Sequence, residues 1–262
     1  MVTHNQTSFM YRLRLRRLKR VFLTVAGLLL ICLAGFGGYT FANSSFFDLS
    51  EIRITGNTVV SRDEIIAASG LRIGTNLLKI SRAQAVMQLL SLPYVREVEL
   101  SRVFPDKVEI RITERTPLAL INADDRHLVM DENGYCLLEV AAITAESWEL
   151  PHIRCSSEAI QLLPGERSED KGVRAALDLI QQLDPFFLEG IAEFDAPSAE
   201  KLALINRDGL PVLFGQPEDL DRKLKCYEEL LIKNAERYNA DTLQYVDIRY
   251  DTQITLKWIK PQ

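Results

Sequence analysis

The sequence predicts an α+β protein in three parts: one N-terminal transmembrane helix, a small unit ordered β-α-α-β-β, and a second, mixed, strand-rich unit. Three observations predict it. Val21 to Phe41 is a 21-residue run without a charge. Residues 46–116 carry two serine-led helix starts set among apolar residues of strand period. From Pro117 onward, short apolar segments are separated by turns rich in Asp, Asn and Gly.

A helix rises about 1.5 Å per residue, so a run of this length crosses the roughly 30 Å of hydrocarbon in a bilayer. Arg12, Arg14, Arg16, Arg17, Lys19 and Arg20 stand just before it, and the first acidic residue is Asp48. Positive charge on that side holds residues 1–20 in the cytoplasm and sends everything after the span (residues 21–41) across. Tyr39 and Phe41 fall at the outer boundary, where aromatic rings settle well. Thr40 and Ala42 weakly resemble a signal-peptidase site before Asn43, but a secretory apolar core is only about 7–15 residues long. The longer run favours an uncleaved anchor.

Of the 31 basic residues among the 262, six lie in that cluster, leaving 25 against 36 acidic, about −11 for the remainder. So acidic a body argues against nucleic acid as a partner. A composition 47% hydrophobic and 26% charged excludes a mostly disordered chain.

In the first unit, Glu51 to Thr55 alternates apolar and polar residues as a strand does, and Gly56-Asn57 ends it. Ser61 starts a helix with Glu64 three residues on, the pattern of a capping box, and Gly70 stops it. Ser81 and Gln84 repeat the device for a second helix, whose Ala85, Val86, Leu89 and Leu90 recur at helical spacing before Pro93. Val98 and Leu100 open a strand, Phe104-Pro105-Asp106-Lys107 turns the chain, and Val108, Ile110 and Ile112 face one side of the strand that follows. Glu109, Arg111 and Thr113 face the other. The helices then cover one face of a small sheet, and the charged face meets water or a partner.

The second unit opens with a hairpin, His127 to Met130 and Tyr135 to Glu139, about the turn Asp131-Glu132-Asn133-Gly134. Residues 156–169 are polar and include Pro164-Gly165, a loop. A helix spans Val173 to Leu183, and a strand follows at Ile191 to Phe194. Lys201 to Asn206 and Pro211 to Phe214 form a hairpin about Arg207-Asp208-Gly209. The longest helix outside the membrane is expected from Pro217, with Glu218, Asp219 and Asp221 at its positive end and Lys233 and Arg237 toward the other. Leu220, Leu224, Tyr227 and Leu231 would be its apolar stripe. Strands at Val246 to Tyr250 and Gln253 to Ile259 finish the chain.

On the first of these strands Val246, Ile248 and Tyr250 share a face. On the second, Ile254, Leu256 and Trp258 share one, with Thr255, Lys257 and Ile259 opposite. A last strand has no onward connection and suits a sheet edge, whose unpaired amides and carbonyls invite another strand. Tyr250 and Trp258 then either plug the core, the reading the residues alone favour, or anchor a partner.

Little points to catalysis. His4, His127 and His152 are the three histidines, and no serine or cysteine near them has an activating context. No glycine-rich phosphate loop follows a strand, and no paired metal-ligand motif is present. Asp124-Asp125 and Glu228-Glu229 read as solvated turn and helix faces. Cys32 lies in the span. Among Cys136, Cys155 and Cys226 at most one bridge is possible, and buried free thiols are the plainer reading. His152 and Cys155 make only half a metal site. The sequence therefore predicts no enzyme, no cofactor and no small-molecule substrate.

The basic tail, the single span, residues Phe47 to Asn57 (FDLSEIRITGN) and Phe104 to Pro117 (FPDKVEIRITERTP) resemble the FtsQ/DivIB cell-division family. The hairpin turn, Leu150-Pro151 and Val246 to Tyr250 (VDIRY) also fit its pattern. The outer cysteines depart from it, as does an end soon after Trp258. The resemblance implies that residues 46–116 are a POTRA domain and 117–262 the family's β domain. It implies a divisome scaffold at the septum that joins FtsB (DivIC-type) and FtsL-type bitopic proteins and recruits or restrains septal peptidoglycan synthesis. It also turns the C-terminal question toward partner binding, by Tyr250, Ile254, Leu256 and Trp258, with Lys107 and Arg111 on the open POTRA face. The rival is a POTRA-bearing, membrane-anchored chaperone for exported polypeptides, which normally needs a transmembrane barrel that no run of lipid-facing strands supplies here.

Overall fold

A computed structural model describes residues 4–123, 126–141, 148–155, 162–234, 236–250 and 254–259, with backbone alone at 4–21, 123 and 231. The expected turn at Asp124-Asp125, part of the 156–169 loop, Gln253 and the side chains of the basic cluster lie outside the described residues.

Helix α1 runs without a break over His4–Ala42. Its Phe22–Ala42 stretch has a mean hydropathy of 2.0, is long and apolar enough to cross a membrane, and buries nothing inside the protein. The arginines and lysine before it are good helix formers, so the helix extends back through the basic segment.

The first unit contains β1 (Glu51–Thr55), α2 (Arg62–Ser69), α3 (Arg82–Leu90), β2 (Val95–Val103) and β3 (Lys107–Glu114). Its sheet order is β1-β3-β2, with β1 parallel and β2 antiparallel to the central β3. Both serines cap as expected: Ser61 Oγ accepts from Glu64 N at 3.2 Å and Ser81 Oγ from Gln84 N at 3.4 Å. Gly70 ends α2 at φ +67°, a left-handed value that glycine adopts without strain. Ile52, Leu100, Val108, Ile110 and Ile112 bury one face of the sheet with Ile65 and Leu89 of the helices. Leu90 departs from the expected apolar stripe at 45% exposure. Ala85 and Leu89 sit four apart and share the buried face, while Leu90 is rotated about 100° from Leu89.

Among the described residues the second unit is a nine-stranded sheet ordered β12-β11-β10-β9-β8-β7-β4-β5-β6. Its strands are β4 (Pro117–Ala123), β5 (Arg126–Asp131), β6 (Cys136–Val140), β7 (His152–Arg154), β8 (Ile191–Asp195), β9 (Ala203–Asn206), β10 (Pro211–Leu213), β11 (Leu243–Asp247) and β12 (Thr255–Trp258). Both expected hairpins form, as β5/β6 and β9/β10. Helix α4 (Lys171–Gln182) is capped by Asp170 and buries Val173, Ala176, Leu177, Leu179 and Ile180 against Ile121, Leu128, Met130 and Phe194. A short helix α5 (Pro185–Glu189) follows it. Leu120, Val129 and Leu137 point the other way, into a smaller cluster that Tyr94 of the first unit joins. These strands are covered on both faces.

Two expectations are corrected. The helix after Pro217 begins only at Leu220, because Asp219 takes φ +50° and breaks the helical path. As α6 it runs over Leu220–Tyr227, ends in a π-helical turn (Glu228–Ile232), and leaves Arg237 beyond it. The 12-residue α4 is therefore the longer α-helix. Tyr227 is buried and Leu220 and Leu224 pack partly on the core; the Leu231 side chain lies outside the described residues. The other correction is to β11, which spans Leu243–Asp247 and not Val246–Tyr250. A bulge between Leu243 and Tyr245 shifts its phase, so Leu243 and Val246, three apart, are both buried.

Candidate partner-binding surfaces

Strand β12 ends the sheet and pairs antiparallel with β11, Val246 facing Leu256 and Leu243 facing Trp258. Ile259 N donates to Thr242 O at 3.1 Å. Successive peptide groups of a strand point to alternate sides, so the amides of Lys257 and Thr255 also face β11 and those of Leu256 and Trp258 face outward. The opposite edge of the sheet is treated differently. Beside β6, Cys136 N donates to Glu166 O at 2.8 Å and Gly165 N to Cys136 O at 2.7 Å, so a loop covers that edge. Among the described residues the start of β6 is covered while the outer side of β12 is open, the usual condition for adding a strand from elsewhere.

The four expected C-terminal side chains do not act alike. Trp258 is 49% exposed, its ring 6.0 Å from that of Tyr238. Ile254 is 47% exposed. Leu256 is half-buried and packs on the main core. Tyr250 was expected on one face with Val246 and Ile248, but those two are buried while Tyr250 is 62% exposed. The strand has ended by then, so the alternation no longer governs it.

Between strand and tyrosine, Arg249 reaches back to Asp247 with two bonds, Nε to Oδ1 at 2.9 Å and Nη2 to Oδ2 at 2.7 Å. Hydrogen bonding from Arg249 holds the Asp247 carboxyl below its usual range despite partial burial. The guanidinium lies 5.3 Å from the Tyr250 ring centroid. Next to Tyr250 opens a polar cleft of about 300 Å³, lined by Glu200, Gln216, Glu218 and Arg249 among others. Sequence reasoning missed Tyr238 and the Asp247–Arg249 fork. The i, i+2 charge pair at a strand end was the available signal for the fork; nothing local marks Tyr238.

Lys107 and Arg111 lie apart from these, on the open face of the three-stranded sheet. Lys107 Nζ meets Glu51 at 2.6 Å, Arg53 bridges Glu51 and Glu109 at 3.2 and 3.1 Å, and Arg111 stands 3.6 Å from Glu99. A groove of about 510 Å³ runs between these rows. The hydrogen bond from Lys107, then its charge, pulls the Glu51 carboxyl below its usual range. The six residues thus form two surfaces and not one.

His127 and His152, weighed for chemistry, are engaged structurally. Asn122 bonds His152 Nδ1 at 3.2 Å through Nδ2 and His127 Nδ1 at 2.9 Å through Oδ1. No disulfide joins any two of the four cysteines, and burial pushes the Cys136 thiol up to about 11, away from a reactive thiolate. Among the described residues no three His, Cys, Asp or Glu side chains gather where a metal could bind.

Fold and surfaces define a class: a helix fit to span a membrane, a three-stranded sheet under two helices, and a larger sheet with one open edge. Comparison narrows it. Residues 47–115 match the POTRA domain, FtsQ-type, and residues 119–249 the C-terminal domain of cell division protein FtsQ/DivIB. The chain belongs to the FtsQ/DivIB family. It is 28% identical over 228 residues to the cell division protein FtsQ of Mycobacterium leprae, covering 87% of this chain and 62% of that protein. It is 28% identical over 233 residues to FtsQ of Geobacter sp., at 85% and 82% coverage, and 24% identical over 231 residues to FtsQ of Corynebacterium glutamicum, at 88% and 99%. The matched C-terminal domain stops at residue 249, so Tyr250 and β12 lie just past it.

Proposed function

We propose that the chain is a bitopic divisome scaffold. Helix α1 anchors it in the inner membrane with residues 1–20 in the cytoplasm, and a POTRA domain (46–116) and a β domain (117–262) stand outside at the septum. FtsB/DivIC-type and FtsL-type bitopic proteins dock on it and are thereby linked to septal peptidoglycan synthesis. It works by binding, without a cofactor or a reaction of its own.

The open edge of β12 carries this reading. Its outward amides offer a partner strand backbone bonds, while Tyr250, Ile254, Leu256 and Trp258 supply side-chain choice. The charged rows around Lys107 and Arg111 offer a second, polar contact. A fluorescent fusion in dividing cells tests the role: a midcell band is expected, and even envelope staining would favour a POTRA-bearing chaperone instead. A C-terminal alkaline phosphatase fusion tests the topology and should be active.

A further inference from the structure

Three aromatic contacts lead from the apolar helix into the first unit. Phe41, in the last turn of α1, stacks on Phe46 with ring centroids 5.8 Å apart and meets Phe47 edge-on at 5.3 Å. Phe47 in turn meets Phe104, on the β2–β3 turn, at 6.3 Å. Yet Phe46 and Phe104 remain 56% and 58% exposed. A second tie lies beside the first. Asn76 Nδ2 donates to the carbonyl of Ala42, the last residue of α1, at 2.9 Å, and Leu49 and the 74–75 backbone exchange bonds of 2.8 and 2.9 Å. The loop thus fastened presents Ile73 and Leu78, 63% and 42% exposed, flanked by exposed Arg72 and Lys79.

Large apolar side chains gathered on a surface need a cover. Here their place limits what the cover is. With Phe22–Ala42 across a bilayer, Phe41 sits at the hydrocarbon boundary, and the headgroup zone beyond it is about 5–7 Å thick on each side. Phe46 touches Phe41, and Phe104 is two ring contacts away. Aromatic rings settle in that zone, and cations beside it meet lipid phosphates.

We propose that this end of the POTRA domain is a lipid-docking surface: Phe46, Phe104, Ile73 and Leu78 enter the headgroup–acyl boundary of the leaflet where α1 ends, and Arg72 and Lys79 contact its phosphates. The domain is then held against the membrane and does not swing freely on its helix. The inference rests on α1 spanning the bilayer.

Phe104→Trp tests it, because an exposed aromatic position accepts an indole without disturbing the core. The full chain is reconstituted at one copy per vesicle in phosphatidylethanolamine and phosphatidylglycerol, and the emission added over the native chain is recorded. The expected result is a blue-shifted maximum, quenched when the acyl chains carry bromine near the headgroup. A water-like maximum that brominated lipid leaves unchanged overturns the proposal and points to a protein partner or second copy as the cover. Phe36→Trp, inside the span, separates the two layers of the reading. If deep bromines quench it while Phe104→Trp stays water-like, docking alone is wrong. If neither is quenched, the span itself is wrong and docking falls with it.

Discussion

Tyr250→Ala isolates the partner surface from the fold. An aromatic side chain buries roughly 150–250 Å² when fully covered. Tyr250 is 62% exposed, which leaves roughly 120 Å² for a partner, worth at most about 3 kcal/mol at about 25 cal/mol per Å². Ordering the side chain on binding takes back about 0.5–1.5 kcal/mol. The expected loss of affinity is then about ten- to sixtyfold. The folded state should barely notice, since the ring's contact with Arg249 is solvent-exposed and of a kind worth about 0.5–1 kcal/mol. Calorimetric titration of the purified chain with the extracytoplasmic part of an FtsB-type partner measures the first quantity, and a thermal melt the second. Affinity within threefold of the native chain, or a clearly earlier melt, would refute the reasoning. Trp258→Ala is a poorer probe. The covered half of its indole already packs by Tyr238, so truncation also loosens the edge, and a double-mutant cycle with Tyr238 is needed to apportion the loss.

On the POTRA face, Arg111→Glu should leave stability within about ±0.5 kcal/mol, because Arg111 and its partner Glu99 are both 74% exposed. Lys107→Glu should melt somewhat earlier, since a carboxylate would then oppose Glu51 where a 2.6 Å ion pair stands. Ile110→Asp should cost more than about 3 kcal/mol, by putting a charge between Leu100 and Ile54 in the sheet's buried face; equal melting shifts in all three would defeat the assignment of faces. A pH series makes the remaining test. Burial works against ionisation of Glu114, but the Thr58 hydroxyl and the amides of Val59, Val60 and Thr58 outweigh it and hold its carboxyl below the usual 4.5. A depressed folded value contributes stability that is present above 4.5 and is lost as pH falls through the lower, folded value. Melts between about pH 6 and pH 3 should therefore decline more steeply for the native chain than for Glu114→Gln, and parallel curves would count against the cradle.

The first unit was legible almost residue by residue, because its signals are local. Ser61 and Ser81 each bond an amide three residues on, and the sheet, with one buried face, writes its register as alternation. The second unit hid what its two-sided burial removes. Strand β4 reads Pro-Leu-Ala-Leu-Ile-Asn-Ala; Ala119 and Ile121 enter one core and Leu120 the other, so its apolar run of Leu118 to Ile121 carries no alternation to mark an outward face. The short β7 gave too few residues for any period to show. At the C-terminus, the bulge in β11 and the end of that strand before Tyr250 both depend on pairing with distant residues. The open amides follow from register, which only the assembled sheet supplies.

The turn Asp131-Glu132-Asn133-Gly134, legible as a hairpin, also joins the two units. Only Arg115 and Thr116 lie between β3 and β4. Arg115 N donates to Tyr94 O at 2.8 Å, its guanidinium meets Asp131 Oδ2 at 2.7 Å, and it lies 3.6 Å from the Tyr135 ring centroid. The Asp131 side chain is 2% exposed, and its Oδ1 accepts from Asn133 N and Tyr135 N at 2.9 and 2.8 Å. Glu132 adds a 2.7 Å pair with Arg96 across the same junction. Breaking a buried pair by removing one partner commonly costs about 3–5 kcal/mol, so this joint resists bending far more than an exposed ion pair would. A stiff joint matters for the proposed role. If the POTRA end rests on lipid, the joint sets the height and direction at which β12 is offered, and a partner anchored in the same membrane meets an edge already placed. Part of the ordering that association otherwise demands is then complete before the partner arrives.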